Sequence, residues 1–281
     1  MGTDQQRRQS ENMKITFIGG GNMATALISS LYTSGHSIHT IRVVDPNPEA
    51  RSRLEARWPV SGYESATEAL ADMEAIVLAV KPQVLPFVLD EIGGQISADQ
   101  LVISIVAGVG VQRIAAYMDA NPSIVRCMSN TPALIGLGMT GLFAQRSCSP
   151  EQREIAQKVM QSAGEVVWLE EERLLDVVTA VSGSGPAYFF YLIEALRSGG
   201  EKLGLPPDVA AKLALQTAHG SGAMAAQSRL DVADLRRQVT TPGGTTEAAL
   251  QVLQTGNFTE LLERAVEAAT RRGQELGKGA Q

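Results

Sequence analysis

The fold is decided by the stretch MKITFIGGGNMATALISSLYTSG, residues 13–35. It opens with a mostly apolar run at residues 15–18, of the kind that is buried on both faces of a parallel sheet. The pattern G-x-G-x-x-A follows at once, with Gly19, Gly21 and Ala24 in its fixed positions. The first glycine of this pattern permits a tight turn, the second lets the backbone approach a pyrophosphate, and the small third residue lets the helix pack close to the strand. The stretch therefore predicts a strand, a phosphate-binding turn and a helix.

A second strand lies where such a fold needs one. The segment TIRVVDPNP, residues 40–48, ends its apolar run at Asp45, about twenty residues after the turn, where dinucleotide-binding folds place an acid that binds a ribose. Strands within residues 74–92, 100–109 and 122–132 continue the alternation of strand and helix. This order predicts an α/β fold with an N-terminal Rossmann-like, doubly wound and mostly parallel sheet.

Ligands of such sheets bind at the carboxyl ends of the strands. Three predicted strands end at Ala79–Pro82, Val106–Gly108 and Met128–Pro132. The sequence therefore predicts that these segments line one crevice together with the glycine turn. For Pro82 and Pro132 taken alone, an ordinary turn after a strand is the alternative.

Length and charge limit the classes of function. Because 281 residues exceed what one hydrophobic core usually accommodates, we predict a disordered leader at 1–12, a dinucleotide-binding domain at 13–172 and a helical substrate and dimerisation domain at 173–281. The formal net charge of −6 argues against nucleic acid as a partner. The leader lacks the apolar core of a signal peptide, and the longest uncharged stretch, 177–193, falls short of a bilayer span, so no membrane segment is expected.

The cysteines and histidines do not form a recognisable site. Cys127 and Cys148 are the only cysteines and have no C-x-x-C spacing, so they indicate neither a disulfide framework nor zinc, and they fit a reducing cytoplasm. His36, His39 and His219 are scattered, without a cysteine or carboxylate cluster at ligand spacing. No metal site is predicted.

The second half of the chain predicts helices from about Leu174. A long apolar segment is interrupted at Gly183–Pro186, because proline removes an interior helical hydrogen bond. The next helix is rich in alanine and glycine, and between Leu213 and Ser228 its only chargeable side chain is His219. A surface helix keeps a charged stripe, so this helix is central to its own domain or buried against another subunit. Few helices are available to surround it, which favours a dimerisation domain.

A second glycine turn lies in this helical half. The stretch VTTPGGTT, residues 239–246, places four threonines around a Pro-Gly-Gly turn. Thr245 and Thr246 occupy the expected N-cap of a following helix, and Asn257 is expected to cap the last one. A helix N-terminus exposes unpaired N–H groups that bind a carboxylate or a phosphate. Simple capping by one threonine is the alternative, but it needs only one hydroxyl.

The chain resembles the pyrroline-5-carboxylate reductase family. The blocks that carry the resemblance are FIGGGNMA, AVKPQ, VAG, RCMSNTP, SGSGPAY and VTTPGGTT, and they lie within a similarity that extends from Met13 to Leu276. The last block is the specific one, since many dehydrogenases share the glycine turn. The resemblance implies reduction of 1-pyrroline-5-carboxylate to L-proline with NADPH or NADH, the last step of proline biosynthesis, by a cytoplasmic homodimer or ring of dimers.

The resemblance also implies the site residues. Asp45 would lie near the adenosine ribose, and the Thr246 hydroxyl is the candidate catalytic group that hydrogen-bonds the ring nitrogen of the substrate. The positions that match the family's other cofactor-binding residues are Ile18, Gly19, Gly20, Gly21, Asn22, Met23, Ala79, Val80, Lys81, Pro82, Val106, Ala107 and Gly108. The positions that match its substrate-binding residues are Thr241, Gly244, Thr245 and Thr246.

Two positions depart from the family pattern, and two other functions stay open. Arg229 replaces a glutamate of some relatives, and Asp45 stands where relatives that prefer NADPH often have serine or another neutral residue. A β-hydroxyacid dehydrogenase would share the two-domain plan but needs a catalytic lysine, for which Lys202 and Lys212 stand in poor contexts. A non-catalytic dinucleotide sensor would use the second glycine turn for an effector or merely as a cap.

Overall fold

The computed structural model describes residues 13–33 and 41–279. The predicted leader, His36 and His39 lie outside these ranges. The chain divides into two compact units, one formed by Met1–Gly183 with Ala269–Gln281 and the other by Ser184–Ala268. The last helix therefore begins in the second unit and ends in the first. The predicted domain boundary between 172 and 173 stays a prediction.

The described part of the first unit is built on an eight-stranded sheet. The strand order is β3-β2-β1-β4-β5-β6-β7-β8, and every neighbouring pair is parallel except β6 with β7. This topology confirms the predicted doubly wound, mostly parallel sheet. The strands are β1 (Ile15–Ile18), β2 (Ile41–Val44), β3 (Ser61–Tyr63), β4 (Ala75–Leu78), β5 (Leu101–Ser104), β6 (Ser123–Met128), β7 (Gly138–Ala144) and β8 (Gly164–Trp168).

Apolar side chains cover both faces of this sheet. Successive residues of a strand point to opposite faces, and Phe17 lies in one buried cluster whereas Ile18 lies in the other. The central strands β1, β4 and β5 are buried at every residue, as expected of a parallel sheet that has helices on both sides. The α-helices of this unit before Leu174 are α1 (Asn22–Thr33), α2 (Pro48–Glu55), α3 (Leu85–Ile92), α4 (Val111–Ala115) and α5 (Pro150–Gln161).

The sequence shows no clear strand pattern for β3 or for β7. β3 has only three residues, of which none is fully buried, so it lacks an apolar run. β7 contains Gly138 and Gly141, which weaken a strand pattern, yet both positions need a small residue. A Cβ on Gly138 would lie 2.8 Å from the carbonyl oxygen of Ala163, and a Cβ on Gly141 would lie 3.0 Å from a methyl of Val178. The glycines that obscure the strand are therefore part of its packing.

Helices make up the remainder of the described chain. The predicted interruption at Gly183–Pro186 is a π-helical turn, Thr179–Gly183, after which a new helix begins with Pro186 in its first turn. None of the helices in residues 13–33 and 41–279 is both long and apolar enough to span a membrane. These helices are α6 (Leu174–Val178), α7 (Gly185–Lys202), α8 (Pro207–Gln227), α9 (Val232–Gln238), α10 (Thr245–Thr255) and α11 (Phe258–Gly279).

The second unit buries few of its apolar side chains within one chain. Helices α7 and α8 pack closely where a Cβ on Gly200 would lie 3.5 Å from the Cβ of Ala210. On α8, only Ala210 and Ala214 are buried. Many larger side chains are exposed, among them Phe189, Phe190, Tyr191, Leu203, Leu213, Leu215, Val252 and Leu261. Exposed apolar surface of this extent marks an interaction surface.

Candidate functional site

The first glycine turn has the backbone that its sequence pattern requires. Gly19 has a φ of +105°, and a Cβ at this position would lie 2.7 Å from the carbonyl oxygen of Ala79. Gly21 is exposed, and apart from its chain neighbours no atom of the described residues lies within 4 Å of the position of a Cβ. Among the described residues, the N–H groups of Gly21, Asn22 and Met23 have no hydrogen-bond partner. This N-terminus of α1 can therefore receive an anion such as a pyrophosphate.

Asp45 lies beside the glycine turn and is hydrogen-bonded to it. Its Oδ2 accepts the N–H of Gly20 at 2.8 Å, and its Oδ1 accepts the N–H of Asn47 at 2.9 Å. The carboxylate is half-buried. Asp45 thus lies where a ribose-binding acid is expected, and it also fixes the conformation of the turn, which the sequence did not indicate.

Two arginines of α2 lie next to this carboxylate. Arg51 donates to the carbonyl oxygen of Asp45, and Arg53 donates to that of Gly20 at 3.1 Å. Arg42, which stands three residues before Asp45 in β2, donates instead to carbonyl oxygens of the segment 68–71. The positive charge near Asp45 therefore comes from α2.

The predicted strand ends lie at one edge of the sheet. The N–H of Ala79 donates to the carbonyl oxygen of Ile18 at 2.8 Å, which ties the end of β4 to the glycine turn. Pro82, Ala107 and Gly108 line the same cavity of about 680 Å³. The structure therefore brings Pro82 close to Ala107 and Gly108. The lining of this cavity does not include the glycine turn or residues 128–132, so the common crevice of all four segments stays a prediction.

After β6, the side chain of Asn130 makes three hydrogen bonds. Its Nδ2 donates to the carbonyl oxygen and to the hydroxyl of Ser182, at 3.2 and 3.1 Å, and its Oδ1 accepts the N–H of Met139 at 2.9 Å. Asn130 thus connects the end of β6 to the π-helical turn and to β7. Its observed role in this chain is structural.

The second glycine turn, in the second unit, differs from its prediction in detail. The N-cap of α10 is Gly244, which has no side chain to cap the helix, so the predicted N-cap role of Thr245 and Thr246 is wrong. The N–H of Gly244 donates to the carbonyl oxygen of Thr241 at 3.0 Å and is not free for a ligand. Within the described residues, the N–H groups of Thr245 and Thr246 have no partner. These two groups form the anion cup, a name used here for the N–H pair of Thr245 and Thr246.

A carboxylate of the chain lies next to this cup. Glu247 accepts the N–H of Gly243 through Oε2 at 2.7 Å, and Gly243 has a φ of +71°. Thr246 is half-buried, whereas Thr241 and Thr245 are exposed. The predicted cap of the last helix also differs, because Asn257 has a φ of +54°, and it is its backbone carbonyl that accepts the N–H of Leu261.

The other titratable side chains have simpler surroundings. Burial raises the pKa of the Cys127 and Cys148 thiols, and both cysteines are free. Arg229, Lys202, Lys212 and His219 are exposed. In the part of the chain that the structure describes, no group of three histidine, cysteine or acidic side chains could hold a metal ion.

Glu172 is a residue that the sequence analysis missed. Its Oε1 accepts the N–H of Val111 at 2.8 Å and also pairs with Arg126 at 3.0 Å. Arg126 is buried and reaches Asp176 at 3.6 Å. No spacing pattern could have indicated these contacts, because Glu172 lies 61 residues from Val111 and 46 residues from Arg126.

Comparisons with known proteins agree with these features. The family model described as "Pyrroline-5-carboxylate reductase dimerisation" matches residues 172–276, and "NADP oxidoreductase coenzyme F420-dependent" matches residues 14–108. A pyrroline-5-carboxylate reductase of Pseudomonas aeruginosa is 43% identical over 265 residues, which cover 94% of this chain and 97% of the relative. These matches include both glycine turns.

Solved structures give the same result. A pyrroline-5-carboxylate reductase from Coxiella burnetii has a TM-score of 0.90 and 37% identity, and the match covers 94% of this chain and 98% of that one. The Plasmodium falciparum pyrroline carboxylate reductase, solved with NADP bound, has a TM-score of 0.82 and 29% identity, with coverages of 95% and 99%. Full-length identity at this level shows that the chain belongs to the pyrroline-5-carboxylate reductase family.

Proposed function

We propose that the chain reduces 1-pyrroline-5-carboxylate to L-proline with NAD(P)H, using the anion cup to bind the substrate carboxylate. The observation that carries this proposal is the Pro-Gly-Gly turn, which leaves the N–H groups of Thr245 and Thr246 without a partner among the described residues. The turn lies inside the region matched by the dimerisation family model. Two adjacent N–H groups at the positive end of a helix suit a carboxylate. Gly244 contributes the tight turn, since a Cβ there would lie 2.6 Å from the hydroxyl of Thr241.

The first unit fits a dinucleotide. The open space at Gly21 and the unpartnered N–H groups of Gly21, Asn22 and Met23 suit its pyrophosphate. Asp45 is suited to accept from a ribose hydroxyl, and the charges of Arg51 and Arg53 offset its repulsion of a 2′-phosphate, so both NADH and NADPH are expected to work. The other proposed cofactor residues are Ile18, Gly19, Gly20, Ala79, Val80, Lys81, Pro82, Val106, Ala107 and Gly108. The bound cofactor supplies the hydride.

The main contribution of the protein to the reaction is to position the substrate for hydride transfer. Hydride attack on the C=N carbon is easiest when the ring nitrogen carries a proton, so no buried acid or base is obligatory. Positioning alone supplies several kcal/mol of barrier reduction, of the roughly 7–11 kcal/mol that favourable cases reach. The Thr246 hydroxyl is proposed to hydrogen-bond the ring nitrogen, and its half-buried position next to the cup supports this role.

The assembly is proposed to be a homodimer formed through the second unit, or a ring of such dimers. Support comes from the exposed apolar side chains of α7 and α8 and from the dimerisation region at 172–276. In α8, a Cβ built on Gly220 or Gly222 would have no atom of the described residues within 4 Å, apart from its chain neighbours and the backbone of its own helix. This glycine-bearing face is open in one chain and suits close approach by a second copy. The buried free thiols of Cys127 and Cys148 support a cytoplasmic location.

One assay separates this function from its rivals. The loss of reduced nicotinamide absorbance is followed after addition of 1-pyrroline-5-carboxylate, with NADPH and NADH in parallel, and a panel of β-hydroxyacids with oxidised cofactor serves as the control. We expect turnover with the cyclic imine and none with the hydroxyacids. Turnover with hydroxyacids alone would indicate a β-hydroxyacid dehydrogenase, and cofactor binding without any turnover would indicate a sensor.

A further inference from the structure

The loop between β5 and α4, residues 105–110, carries three of the proposed cofactor residues, Val106–Gly108. Its start is fixed to the sheet, because the N–H of Ile105 donates to the carbonyl oxygen of Leu78 at 3.1 Å. The side chains of Val106 and Val109 are buried in the core, and further contacts hold the middle of the loop at Gly108 and its end at α4. Two of those contacts come from residues distant in the sequence, Glu172 and Gly277.

Glu172 holds the end of the loop. Its Oε1 accepts the N–H of Val111 at 2.8 Å, at the first residue of α4. The carboxylate is itself held by Arg126 of β6 at 3.0 Å, and the Arg126 side chain is only 10% exposed. A hydrogen bond to a charged acceptor is among the stronger ones. The loop is therefore anchored to the sheet through Glu172 and Arg126.

Gly277 contacts the middle of the loop. Gly108 has a φ of +75°, and its carbonyl oxygen lies 3.0 Å from the position of a Cβ built on Gly277 of α11. A cavity of about 680 Å³ adjoins this contact and is lined by Ala107, Gly108 and Leu276. Gly108 has no side chain to pack, and the atoms nearest to a Cβ built on it belong to Gly277 and Leu276, so α11 supports the loop at this point.

A neighbouring glycine of the same helix provides a contrast. Gly273 lies one turn before Gly277, and a Cβ there would meet its nearest atom, the Cβ of Asp176, at 3.9 Å, an ordinary van der Waals distance. Alanine has a higher helix propensity than glycine, and both positions lie within α11. Only at position 277 does the added methyl group press on the loop.

We propose that Glu172 and Gly277 are positioning residues of the reaction, which hold the loop Val106–Gly108 in the conformation that receives the dinucleotide. This inference rests on the proposed function in so far as the loop is a cofactor element. It predicts that changes at these two residues weaken cofactor binding and leave the KM for 1-pyrroline-5-carboxylate and the oligomeric state unchanged.

The experiment compares two matched pairs of variants of the full chain. Gly277→Ala is compared with Gly273→Ala, and Glu172→Ala with Glu172→Gln, because glutamine keeps an acceptor for the N–H of Val111 while both substitutions remove the charge that pairs with Arg126. The Kd for NADP⁺ is measured by calorimetry without substrate, and KM for NADPH, KM for the imine, kcat, melting temperature and oligomeric state are measured alongside.

We expect Gly277→Ala and Glu172→Ala to raise the Kd for NADP⁺ and the KM for NADPH by roughly three- to tenfold. This is the factor produced by the loss of one hydrogen bond, and we expect the steric displacement of the loop to have an effect of similar size. For Gly273→Ala and Glu172→Gln, the Kd for NADP⁺ and the KM for NADPH should stay within about twofold of the wild-type values. Equal values within both pairs, or a lower melting temperature with unchanged Kd, would overturn the inference. If Gly277→Ala does not fold, the Glu172 pair decides. Because the Kd is measured without substrate, a wild-type chain that binds NADP⁺ but does not reduce the imine contradicts the proposed function alone.

Discussion

Replacement of Asp45 by serine tests whether this carboxylate both binds the ribose of the cofactor and stabilises the glycine turn. Its two oxygens accept the N–H groups of Gly20 and Asn47 at 2.8 and 2.9 Å. Serine offers one hydroxyl in place of two oxygens, so one bond to a charged acceptor is lost. A hydrogen bond to a charged group contributes roughly 1.5–3 kcal/mol, and we take the lower end of this range because the carboxylate is only half-buried. About 1.5 kcal/mol corresponds to about tenfold weaker binding of either cofactor.

The same substitution changes the preference between the cofactors. Asp45 is proposed to accept from the 2′-hydroxyl of NADH and to repel the 2′-phosphate of NADPH, so its loss should raise the ratio of kcat/KM for NADPH over NADH by roughly tenfold. Steady-state kinetics with both cofactors on the wild type, Asp45→Ser and Asp45→Asn provide the measurement. An unchanged ratio would remove Asp45 from the ribose site. Unchanged affinity for both cofactors would show that its bonds to the turn do not matter.

The other predictions concern the second unit. Thr246→Val should lower turnover about ten- to a hundredfold while barely changing cofactor binding, since a hydrogen bond to a charged nitrogen contributes roughly 1.5–3 kcal/mol. Thr245→Val is the control and should lower turnover less. Full turnover of Thr246→Val at a lower melting temperature would show that Thr246 has only a structural role. Glu247→Gln keeps an acceptor for the N–H of Gly243 but removes a negative charge beside the anion cup, so the KM for the imine should fall about two- to fivefold; an unchanged KM would place the substrate elsewhere. Gly222→Leu should weaken the dimer by roughly 1–3 kcal/mol, although a Cβ at this position would meet no atom within 4 Å among the described residues outside its own helix. An unchanged oligomer at low concentration, by light scattering, would exclude α8 from the interface.

The sequence predicted those features that depend on local backbone requirements. The first glycine turn was predictable because only glycine can adopt the φ of Gly19 so close to Ala79. The parallel sheet followed from the buried apolar runs that alternate with helices. The positions of Asp45 and of the Pro-Gly-Gly turn also followed from spacing along the chain. Each of these features depends on residues that lie close together in the sequence.

The features that were missed depend on contacts over long distances in the sequence or on a choice between hydrogen-bond partners. Glu172 stands in a run of charges that looks like solvated surface, and only the fold brings it to Arg126 and Val111. Gly244 was expected to bind the substrate, but the turn donates its N–H to the carbonyl oxygen of Thr241. In such cases two or more arrangements satisfy the same local pattern, and tertiary packing selects one.

The most direct test of the central claim is the transfer of a labelled hydride. NADPH that carries deuterium at the transferable position of the nicotinamide is incubated with the chain and 1-pyrroline-5-carboxylate, and the product is analysed by mass spectrometry and NMR. The account predicts L-proline with a single deuterium, on the ring carbon that was double-bonded to nitrogen. Cofactor oxidation without labelled proline, or no oxidation at all, would contradict it.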